Sequence, residues 1–470
     1  MNIQKPSEPS RNELALTEIE PFSEQLKPII KEALSETSKD DGRSREGTLF
    51  TPMFTVFVVL GLAMRHELDY HKVVNWLISS IRWLTVSLPK KVIANGTVTK
   101  ARQYLGVNVF RIIFEKFIKK HYEPTMDFHG RSSVIFDGVT ATMPDTASNC
   151  QAFGKPSNKK GSSAFPKIRA VALMSLTLRC ILDVAYAPYK GKGTGERVLM
   201  YQLLEKFKEK SFLFLLDAGL YSFELLELFK DRQQEFIMRL ACTIQIKKIK
   251  DLPDGSYIGI IKKKFKNPNS TSKKPLPQIE REAVVRVISY QIQGFRATKL
   301  ITNILDETIT AKELVKHYHK RWDIELAFDE IKTRQCATLT GQLATVFRSK
   351  TAELVEQELY AILITYNCIR QLMCQACEIH NKDPRFISFV EVLQLLKDAI
   401  PIINIGLQPI RITINYLLQL IAQSSIDRSR RPRTNPRVVK VKGSKFKRKN
   451  ASHKGERIDF ESDLQILQTT

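Results

Sequence analysis

Two periodicities of hydrophobic positions divide the chain. Apolar side chains recur every three or four residues from about 48 to 125, from 310 to about 333 and from about 350 to 425, which predicts helices. Between residues 132 and 303 the apolar residues mostly form short runs bounded by Gly, Pro, Asp and Lys, which is typical of strands. The pattern therefore predicts an α/β protein with helical regions before and after the strands.

Individual elements can be placed within the strand region. Two continuous apolar strands, Val134–Phe136 and Phe212–Leu216, end at Asp137 and Asp217. The other predicted elements are a hairpin of Ile168–Leu178 with Arg179–Tyr186, helices over 196–209 and 223–231, a strand over 235–240, and strands over 257–261 and 283–290. Asp254-Gly255 predicts a hairpin turn, and Thr310 with Glu313 predicts a capping box at the start of a long helix.

Shifts in composition divide the chain into segments. We expect a polar, disordered lead over 1–46, a helical N-terminal DNA-binding domain over 47–127, the first part of a core over 128–240, a β-rich basic insertion over 241–305, the second part of the core over 306–377, a helical C-terminal region over 378–427, and a basic flexible tail over 428–470.

The charge balance points to a polyanionic partner. With 73 Lys and Arg against 49 Asp and Glu, the net charge is +24. Residues 428–454 contain twelve basic residues and no acidic ones, and further clusters lie over 247–274 and 155–169. Three such clusters favour a path for nucleic acid, although the tail alone could also be a solvated segment without a partner. Candidate phosphate contacts are Lys159, Lys160, Lys262, Lys263 and Lys264.

Several other classes of protein do not fit. The longest apolar run, Phe54–Met64, has eleven residues, whereas a membrane-spanning helix needs about 20. The polar lead has no secretory signal, and the seven scattered cysteines do not form a disulfide framework, so we expect a reduced, cytoplasmic compartment. Cys374 and Cys377 have no second ligand pair at zinc spacing and are expected to pack on a helix.

Two aspartates occupy positions where ligands often bind. Asp137 and Asp217 each end an apolar strand, and each lies next to or near a glycine, in Asp137-Gly138 and Asp217-Ala218-Gly219. Strand ends in open α/β sheets are common ligand sites, and carboxylates suit a hard cation such as Mg²⁺. For each aspartate alone, a simple turn after a strand is an alternative.

A third acidic residue lies on a polar helix face. At 100° per residue Tyr318, Arg321, Glu325 and Lys332 fall within about 60° of one another. Glu325 could bind a cation while Arg321 and Lys332 hold phosphate oxygens. Asp329 lies on nearly the same face and is a rival ligand. The alternative is a solvent-exposed face in which Arg321 pairs with Glu325.

These residues resemble a known family. The run from Tyr318 to Lys332 has the spacing Y-x2-R-x3-E-x6-K, which resembles the YREK motif of the IS4-family DDE transposases. The stretch from Asp137-Gly138 through Met143-Pro144-Asp145-Thr146 is similar to the first catalytic block of the family. Asp217–Ser222 is similar to the second block, and the resemblance covers about 48 to 377.

The resemblance implies both a fold and an activity. It implies an RNase H-like mixed-sheet core, a β-rich insertion and an all-α N-terminal domain. It implies cut-and-paste transposition of an insertion sequence, with Asp137, Asp217 and Glu325 as catalytic residues that hold Mg²⁺, for which Mn²⁺ substitutes. Tyr318, Arg321 and Lys332 would contact the DNA end. The implied partner is double-stranded DNA, both terminal inverted repeats and target, bound by a homodimer at the bacterial nucleoid.

The sequence departs from the family pattern at an aromatic residue. The insertion has no Trp between 241 and 303, where some relatives stack a flipped base, and Leu220 follows Gly219 where an aromatic residue is common. Candidates for the stacking role are Tyr257, Phe265, Tyr290 and Phe295. Three alternatives stay open: an inactive DNA-binding derivative of a transposase, an RNase H-like metal nuclease such as a Holliday-junction enzyme, and a basic RNA-binding scaffold.

Overall fold

The computed structural model of the chain describes residues 22–39, 49–80, 93–158, 161–241, 243–266, 278–292, 296–337, 345–405, 410–426, 438–439, 447–448 and 463–468. The chain divides into two units. We call Met1–Glu123, Gly138–Met200 and Glu325–Ile426 the helical unit, and Pro124–Asp137, Tyr201–Ile324 and Asp427–Thr470 the sheet unit.

The helices and strands are as follows. The helices are α1 (Phe22–Glu36), α2 (Pro52–Met64), α3 (Tyr70–Ser80), α4 (Asn95–Leu105), α5 (Asn108–His121), α6 (Ala147–Phe153), α7 (Glu196–Lys206), α8 (Phe223–Asp231), α9 (Ala311–His319), α10 (Asp323–Asp329), α11 (Ala352–Ile379), α12 (Phe389–Ile405) and α13 (Ile410–Gln423). The longer strands are β1 (Ser132–Thr142), β2 (Lys167–Ser175), β3 (Ile181–Pro188), β4 (Phe212–Leu216), β5 (Glu235–Leu240), β6 (Lys247–Asp251), β7 (Tyr257–Lys266), β8 (Gln278–Ile292), β9 (Thr298–Thr302) and β10 (Leu464–Ile466). Short 3₁₀ turns lie at Ala218–Leu220, Lys320–Trp322 and Pro384–Phe386, a π-helical turn at Glu330–Gln335, and two-residue strands at Ser157–Asn158, Gly161–Ser162, Val438–Val439 and Lys447–Arg448.

The sheet unit contains a mixed sheet. Its strand order is β1-β4-β5-β9-β8-β7-β6, and β10 pairs with β8. The pairs β1–β4 and β4–β5 are parallel, whereas the pairs from β5–β9 onward are antiparallel. Every residue of β4 is buried, as expected for a parallel strand that is covered on both faces. The antiparallel strands β6 to β9 are the expected β-rich insertion.

The helical unit contains a hairpin and most of the helices. Strands β2 and β3 pair antiparallel, with Ile168 opposite Pro188 and Val171 opposite Ala185. Helix α11 packs against α2, α5 and α13. All residues of α2 are buried, because its sequence is apolar on every face, and Thr51 caps it by accepting from the Phe54 backbone N–H.

Buried polar groups fix the N-terminal helices to α11. The guanidinium of Arg102 on α4 donates to Gln357 Oε1 at 2.8 Å, and also to Tyr70, Ser349 and Leu354. Glu358, one residue along α11, accepts from the backbone N–H groups of Arg348 and Ser349. A buried charge is stable only when its hydrogen bonds are satisfied, so these contacts are specific to this arrangement of helices.

Many predicted elements are confirmed, with changes at their ends. Strands β4 and β5 and helix α8 have the predicted bounds, and the β2–β3 hairpin and the capping box of α9 are present. Strand β1 continues past Asp137 to Thr142. Asp137 therefore lies within a strand instead of ending one, at the point where the fully buried part of β1 stops.

Three other expectations need correction. The lead over 1–46 was expected to be disordered, but Phe22–Glu36 forms α1, in which Leu26, Ile30 and Ala33 are buried at helical spacing. The long helix after Thr310 is divided by 3₁₀ and π turns, so the uniform 100° step fails. Residues 464–466, within the expected flexible tail, pair with β8 and bury Leu464.

Candidate active site

Asp137 and Asp217 lie at the same level of two neighbouring parallel strands. The register pairs Ser132 of β1 with Phe212 of β4, and Ile135 with Leu215, an offset of 80 positions. Asp137 and Asp217 are also 80 positions apart. Continuing the register by two positions therefore places Asp137 and Asp217 at the same level of the two strands.

Both aspartates share one guanidinium. Nη1 of Arg321 lies 3.7 Å from Asp137 Oδ2, and its Nη2 lies 3.8 Å from Asp217 Oδ1. The Arg321 side chain is 5% exposed, whereas those of Asp137 and Asp217 are 25% and 42% exposed. The 3₁₀ turn Lys320–Trp322 carries Arg321, and its guanidinium lies 5.3 Å from the Trp322 ring centroid. The predicted functional residues of the sheet unit therefore converge.

Tyr318 holds the backbone next to this cluster through a buried hydrogen bond. It is 3% exposed, and its hydroxyl donates a 3.1 Å hydrogen bond to the backbone carbonyl of Leu216, which precedes Asp217. Burial raises the pKa of Tyr318 to about 12, the Arg321 charge lowers this pKa, and the Asp217 charge raises it. The phenol is therefore neutral near pH 7 and acts as a hydrogen-bond donor.

His319 connects the same turn to the insertion. Its Nε2 is 3.0 Å from the hydroxyl of Tyr290 on β8. Burial lowers the pKa of His319 to about 4, with further lowering by the charges of Arg321 and Arg239. The ring is therefore neutral at pH 7. Arg239 on β5, which the sequence did not single out, is brought near by the sheet register.

The start of α9 is also held by the insertion. Thr310 and Glu313 form the predicted capping box. In addition, Asp254 in the β6–β7 turn accepts from the Ala311 backbone N–H and pairs with Arg286, whose side chain is fully buried. Arg286 also donates to the Asp306 carbonyl at 2.8 Å. The helix that leads to Arg321 is thus anchored at both ends by residues of the β-rich insertion.

The remaining motif residues belong to the helical unit. Glu325 is exposed on α10, and Asp329 is exposed at the end of that helix, 3.5 Å from Arg334. Lys332 is half-buried on the π-helical turn. Burial lowers the pKa of Lys332, and the nearby charge of Lys167 lowers it to a smaller extent. Arg321 pairs with two aspartates of the sheet unit, and its side chain is buried, whereas the alternative from the sequence was a solvent-exposed helix face.

Glycine has a different role at each aspartate. A Cβ atom on Gly138 would lie 2.5 Å from Cδ of Glu196, so the glycine lets this carboxyl group approach the backbone next to Asp137. A Cβ atom on Gly219 would meet nothing within 4 Å. Glu196, at the start of α7, is an acidic residue of the helical unit that the sequence analysis did not identify.

Ion pairs with glutamates partly neutralise the positive charges of the candidate lysines in the insertion. Lys262 on β7 pairs with Glu280 at 3.1 Å and also with Glu282, and Lys263 pairs with Glu224 at 2.6 Å. Lys264 is exposed and lies opposite Glu280 in the register. Lys159 and Lys160 lie outside the described residues, as does most of the basic segment 428–454.

Of the four aromatic candidates, Phe265 is the most accessible among those the structure describes. Tyr257 and Tyr290 are buried, Phe265 is half-buried, and Phe295 lies outside the described residues. Lys263 Nζ and the Arg281 guanidinium lie 5.0 Å and 4.7 Å from the Phe265 ring centroid. The ring also lies 5.7 Å from that of Phe223, six residues after Asp217.

The aspartate pair fits a divalent cation. Each aspartate offers hard oxygen donors, and both lie within 4 Å of the single positive charge of Arg321, so the chemistry of this pair suits a divalent cation. In the part of the chain that the structure describes, no cluster of three or more His, Cys, Asp or Glu side chains is arranged for a metal ion. The same described residues include no helix long and apolar enough to span a membrane.

Comparison with known families agrees with this arrangement. The family described as "Transposase DDE domain" matches residues 128–368, slightly more than half of the chain. The family described as "Insertion element 4 transposase N-terminal" matches residues 16–115. The chain belongs to the IS4 family of DDE transposases. The matched DDE region includes Asp137, Asp217 and the whole stretch from Tyr318 to Lys332.

A curated relative from Escherichia coli agrees with the family assignment. The transposase is 28% identical over 403 residues to "Transposase InsG for insertion sequence element IS4" of Escherichia coli K12, which covers 83% of this chain and 85% of the relative. A cryo-EM structure of the piggyBac transposase synaptic complex with hairpin DNA aligns over 87% of this chain and 85% of that one, with a TM-score of 0.43 and 9% identity.

The family assignment establishes the general activity. The protein is an insertion-sequence transposase, an enzyme that cleaves DNA with the help of a divalent metal ion. Its α/β fold with a mixed sheet is the RNase H-like core of the DDE domain. The sequence-based predictions of family, fold class and enzyme class are confirmed.

Proposed function

We propose that this transposase excises and integrates its insertion sequence by Mg²⁺-dependent strand cleavage and strand transfer, with Asp137, Asp217 and Glu325 as catalytic residues. The observation that carries the proposal is the guanidinium of Arg321 shared by Asp137 and Asp217. Glu325 completes the set because it has the glutamate position of the Y-x2-R-x3-E-x6-K spacing. Mn²⁺, which also prefers oxygen ligands, would substitute.

Each side chain has a distinct task in this proposal. The three carboxylates would hold Mg²⁺, which when bound stabilises the charge on the attacking and leaving oxygens of an in-line displacement at phosphorus. Arg321 and Lys332 pair with phosphate oxygens of the DNA end. Tyr318 keeps Asp217 in place through the Leu216 carbonyl, because its hydroxyl is buried and already bonded there.

The partner is double-stranded DNA, both the terminal inverted repeats and the target. The net charge of +24 supports this, and we propose that the basic residues of 428–454, with Lys159, Lys160 and Lys262 to Lys264, supply phosphate contacts. Phe265, flanked by Lys263 and Arg281, is the proposed stacking residue for a displaced base. We further propose that the protein acts as a homodimer on DNA of the nucleoid.

Substitution of the three carboxylates tests the assignment. Asp137→Asn, Asp217→Asn and Glu325→Gln should each abolish Mg²⁺-dependent cleavage of a duplex that spans the end of the element, while the gel-shift affinity for that duplex is retained. Asp329→Asn is the matched control on α10 and should keep most of the activity. Loss of cleavage in Asp329→Asn with full activity in Glu325→Gln would reject Glu325.

A further inference from the structure

Arg321 lies near both Asp137 and Asp217, at distances longer than those of a close ion pair. Its two Nη atoms lie 3.7 Å and 3.8 Å from one oxygen each of Asp137 and Asp217. A bidentate fork on one carboxylate would bring nitrogen and oxygen to about 2.7–2.9 Å. The guanidinium therefore lies near both aspartates and forms a close hydrogen-bonded fork with neither of them.

This position has an electrostatic consequence. Two adjacent carboxylates repel each other, and a positive charge between them offsets that repulsion. A guanidinium keeps its proton at any pH that a protein tolerates, so its charge can be withdrawn only by moving the side chain. A divalent cation that is to bind between Asp137 and Asp217 must therefore compete with Arg321 or wait until it moves.

We propose that Arg321 holds the place of the metal ion in the DNA-free transposase, so that metal binding and DNA binding are coupled. This inference rests on the proposed function of Asp137 and Asp217. A phosphate group offers Arg321 the bidentate fork that the two aspartates do not provide. When DNA arrives, the guanidinium turns to a phosphate, and the carboxylates become available to the cation.

The coupling has a functional benefit and a defined thermodynamic form. A transposase without bound DNA would bind the metal ion weakly. Its active site would therefore hold no metal ion when unrelated nucleic acid is encountered. Because linkage is reciprocal, DNA must strengthen metal binding by the same factor by which metal strengthens DNA binding. Typical coupling factors are about 5- to 150-fold.

Manganese binding to the full-length, DNA-free protein tests this proposal. The dissociation constant of Mn²⁺ is measured by electron paramagnetic resonance for the wild type, Arg321→Gln and Arg321→Lys, with Arg232→Gln as control. Arg232 pairs with Glu205 elsewhere in the sheet unit, so its loss removes one charge without touching the aspartates. We expect Arg321→Gln to bind Mn²⁺ at least about tenfold more tightly than the wild type. Arg321→Lys should lie between them, and Arg232→Gln should equal the wild type.

A second arm adds a duplex that spans the junction between the element and its flanking DNA. The duplex should strengthen Mn²⁺ binding to the wild type and have little further effect on Arg321→Gln. Circular dichroism verifies that each variant is folded. If Arg321→Gln does not fold, the effect of the duplex on Mn²⁺ binding by the wild type still tests the proposal. Equal or weaker Mn²⁺ binding by folded Arg321→Gln, or no effect of the duplex on the wild type, overturns the coupling.

Two further variants separate this inference from the proposed function. If Asp137→Asn and Asp217→Asn bind Mn²⁺ as the wild type does, the metal site itself is misassigned and both proposals fail. If they lose Mn²⁺ binding while Arg321→Gln gains nothing, the catalytic assignment stands and only the coupling is rejected.

Discussion

The hydroxyl of Tyr318 donates a 3.1 Å hydrogen bond to the backbone carbonyl of Leu216, the last residue of β4. Asp217 is the next residue, so the first residue of the YREK motif holds the strand end that carries a proposed catalytic carboxylate. The bond also fixes the helix end from which the turn with Arg321 begins. One side chain therefore positions both partners of the Arg321–Asp217 pair.

Removal of the Tyr318 hydroxyl should destabilise the DNA-free protein. In Tyr318→Phe the buried Leu216 carbonyl loses its donor, which costs about 1–3 kcal/mol of unfolding free energy. Urea denaturation measures this, with Tyr104→Phe, an exposed tyrosine on α4, as control. Unchanged stability together with weaker binding to the end duplex would show that Tyr318 contacts DNA instead.

Asp254 should be essential for the anchoring of α9. Asp254→Asn leaves the buried guanidinium of Arg286 without its charged partner and weakens the bond to the Ala311 backbone N–H. Breaking a buried pair costs about 3–5 kcal/mol, so the midpoint of denaturation should fall markedly. Asp251→Asn, in the same hairpin but with an exposed side chain that pairs with Lys248, should have an effect within about 0.5 kcal/mol.

The carboxylate of Glu358 should make stability depend on pH. Burial raises its pKa, but the nearby His66 ring, whose Nε2 lies 3.7 Å away, the charges of Arg348 and Arg102 and the hydrogen bond from Ser349 lower it from 4.5 to about 2. A carboxyl group with a lower pKa in the folded state stabilises the protein above pH 4.5, and this stabilisation disappears as the pH falls toward 2. The full contribution corresponds to about 3 kcal/mol.

Glu358→Gln tests this dependence by urea denaturation at several pH values. The variant should be less stable than the wild type by about 3 kcal/mol at pH 7, and the difference should shrink by roughly half at pH 3. Glu378→Gln, exposed on the last turn of the same helix, serves as the control. A difference between wild type and Glu358→Gln that stays constant from pH 7 to pH 3 would contradict the lowered pKa.

Phe265 should stack on a base that leaves the duplex. Phe265→Ala should lower affinity for the end duplex by about 1–3 kcal/mol, because stacking on an aromatic face is lost. A 2-aminopurine base placed near the DNA end should be quenched by the wild type and less so by the variant. Ile249→Ala, which removes another exposed apolar side chain of the insertion, should leave both signals unchanged.

The basic segment should set the salt dependence of DNA binding. The test replaces four lysines with Gln: Lys440, Lys442, Lys445 and Lys449. These changes keep β10, whereas a truncation after Ile426 would remove it. If all four contact phosphates, the slope of log K against log salt falls by about 3 to 4 units, for end and random sequences alike. The four Lys→Arg changes should keep the wild-type slope, and an unchanged slope in the Gln variant would assign the contacts to other residues.

The sequence by itself determined the family, the fold class and most core elements. Continuous apolar runs such as Phe212–Leu216 can be buried only as covered strands, and spacing along one helical segment identifies Arg321 and Glu325 together, because both signals are local. The lead helix α1 was missed because Pro28 lies inside it and because the segment 1–46 as a whole is polar.

Tertiary structure decided that Asp137 and Asp217 both pair with Arg321. That Asp137 and Asp217 lie at one level follows from the register of β1 on β4, and a register is set by packing between distant segments. The 3₁₀ turn at Lys320–Trp322 directs the side chain of Arg321 toward those aspartates. A helical wheel with a uniform 100° step does not predict this direction, because it assumes an unbroken α-helix. The Asp254 anchor of α9 likewise depends on residues 57 positions apart, which only the folded sheet brings together.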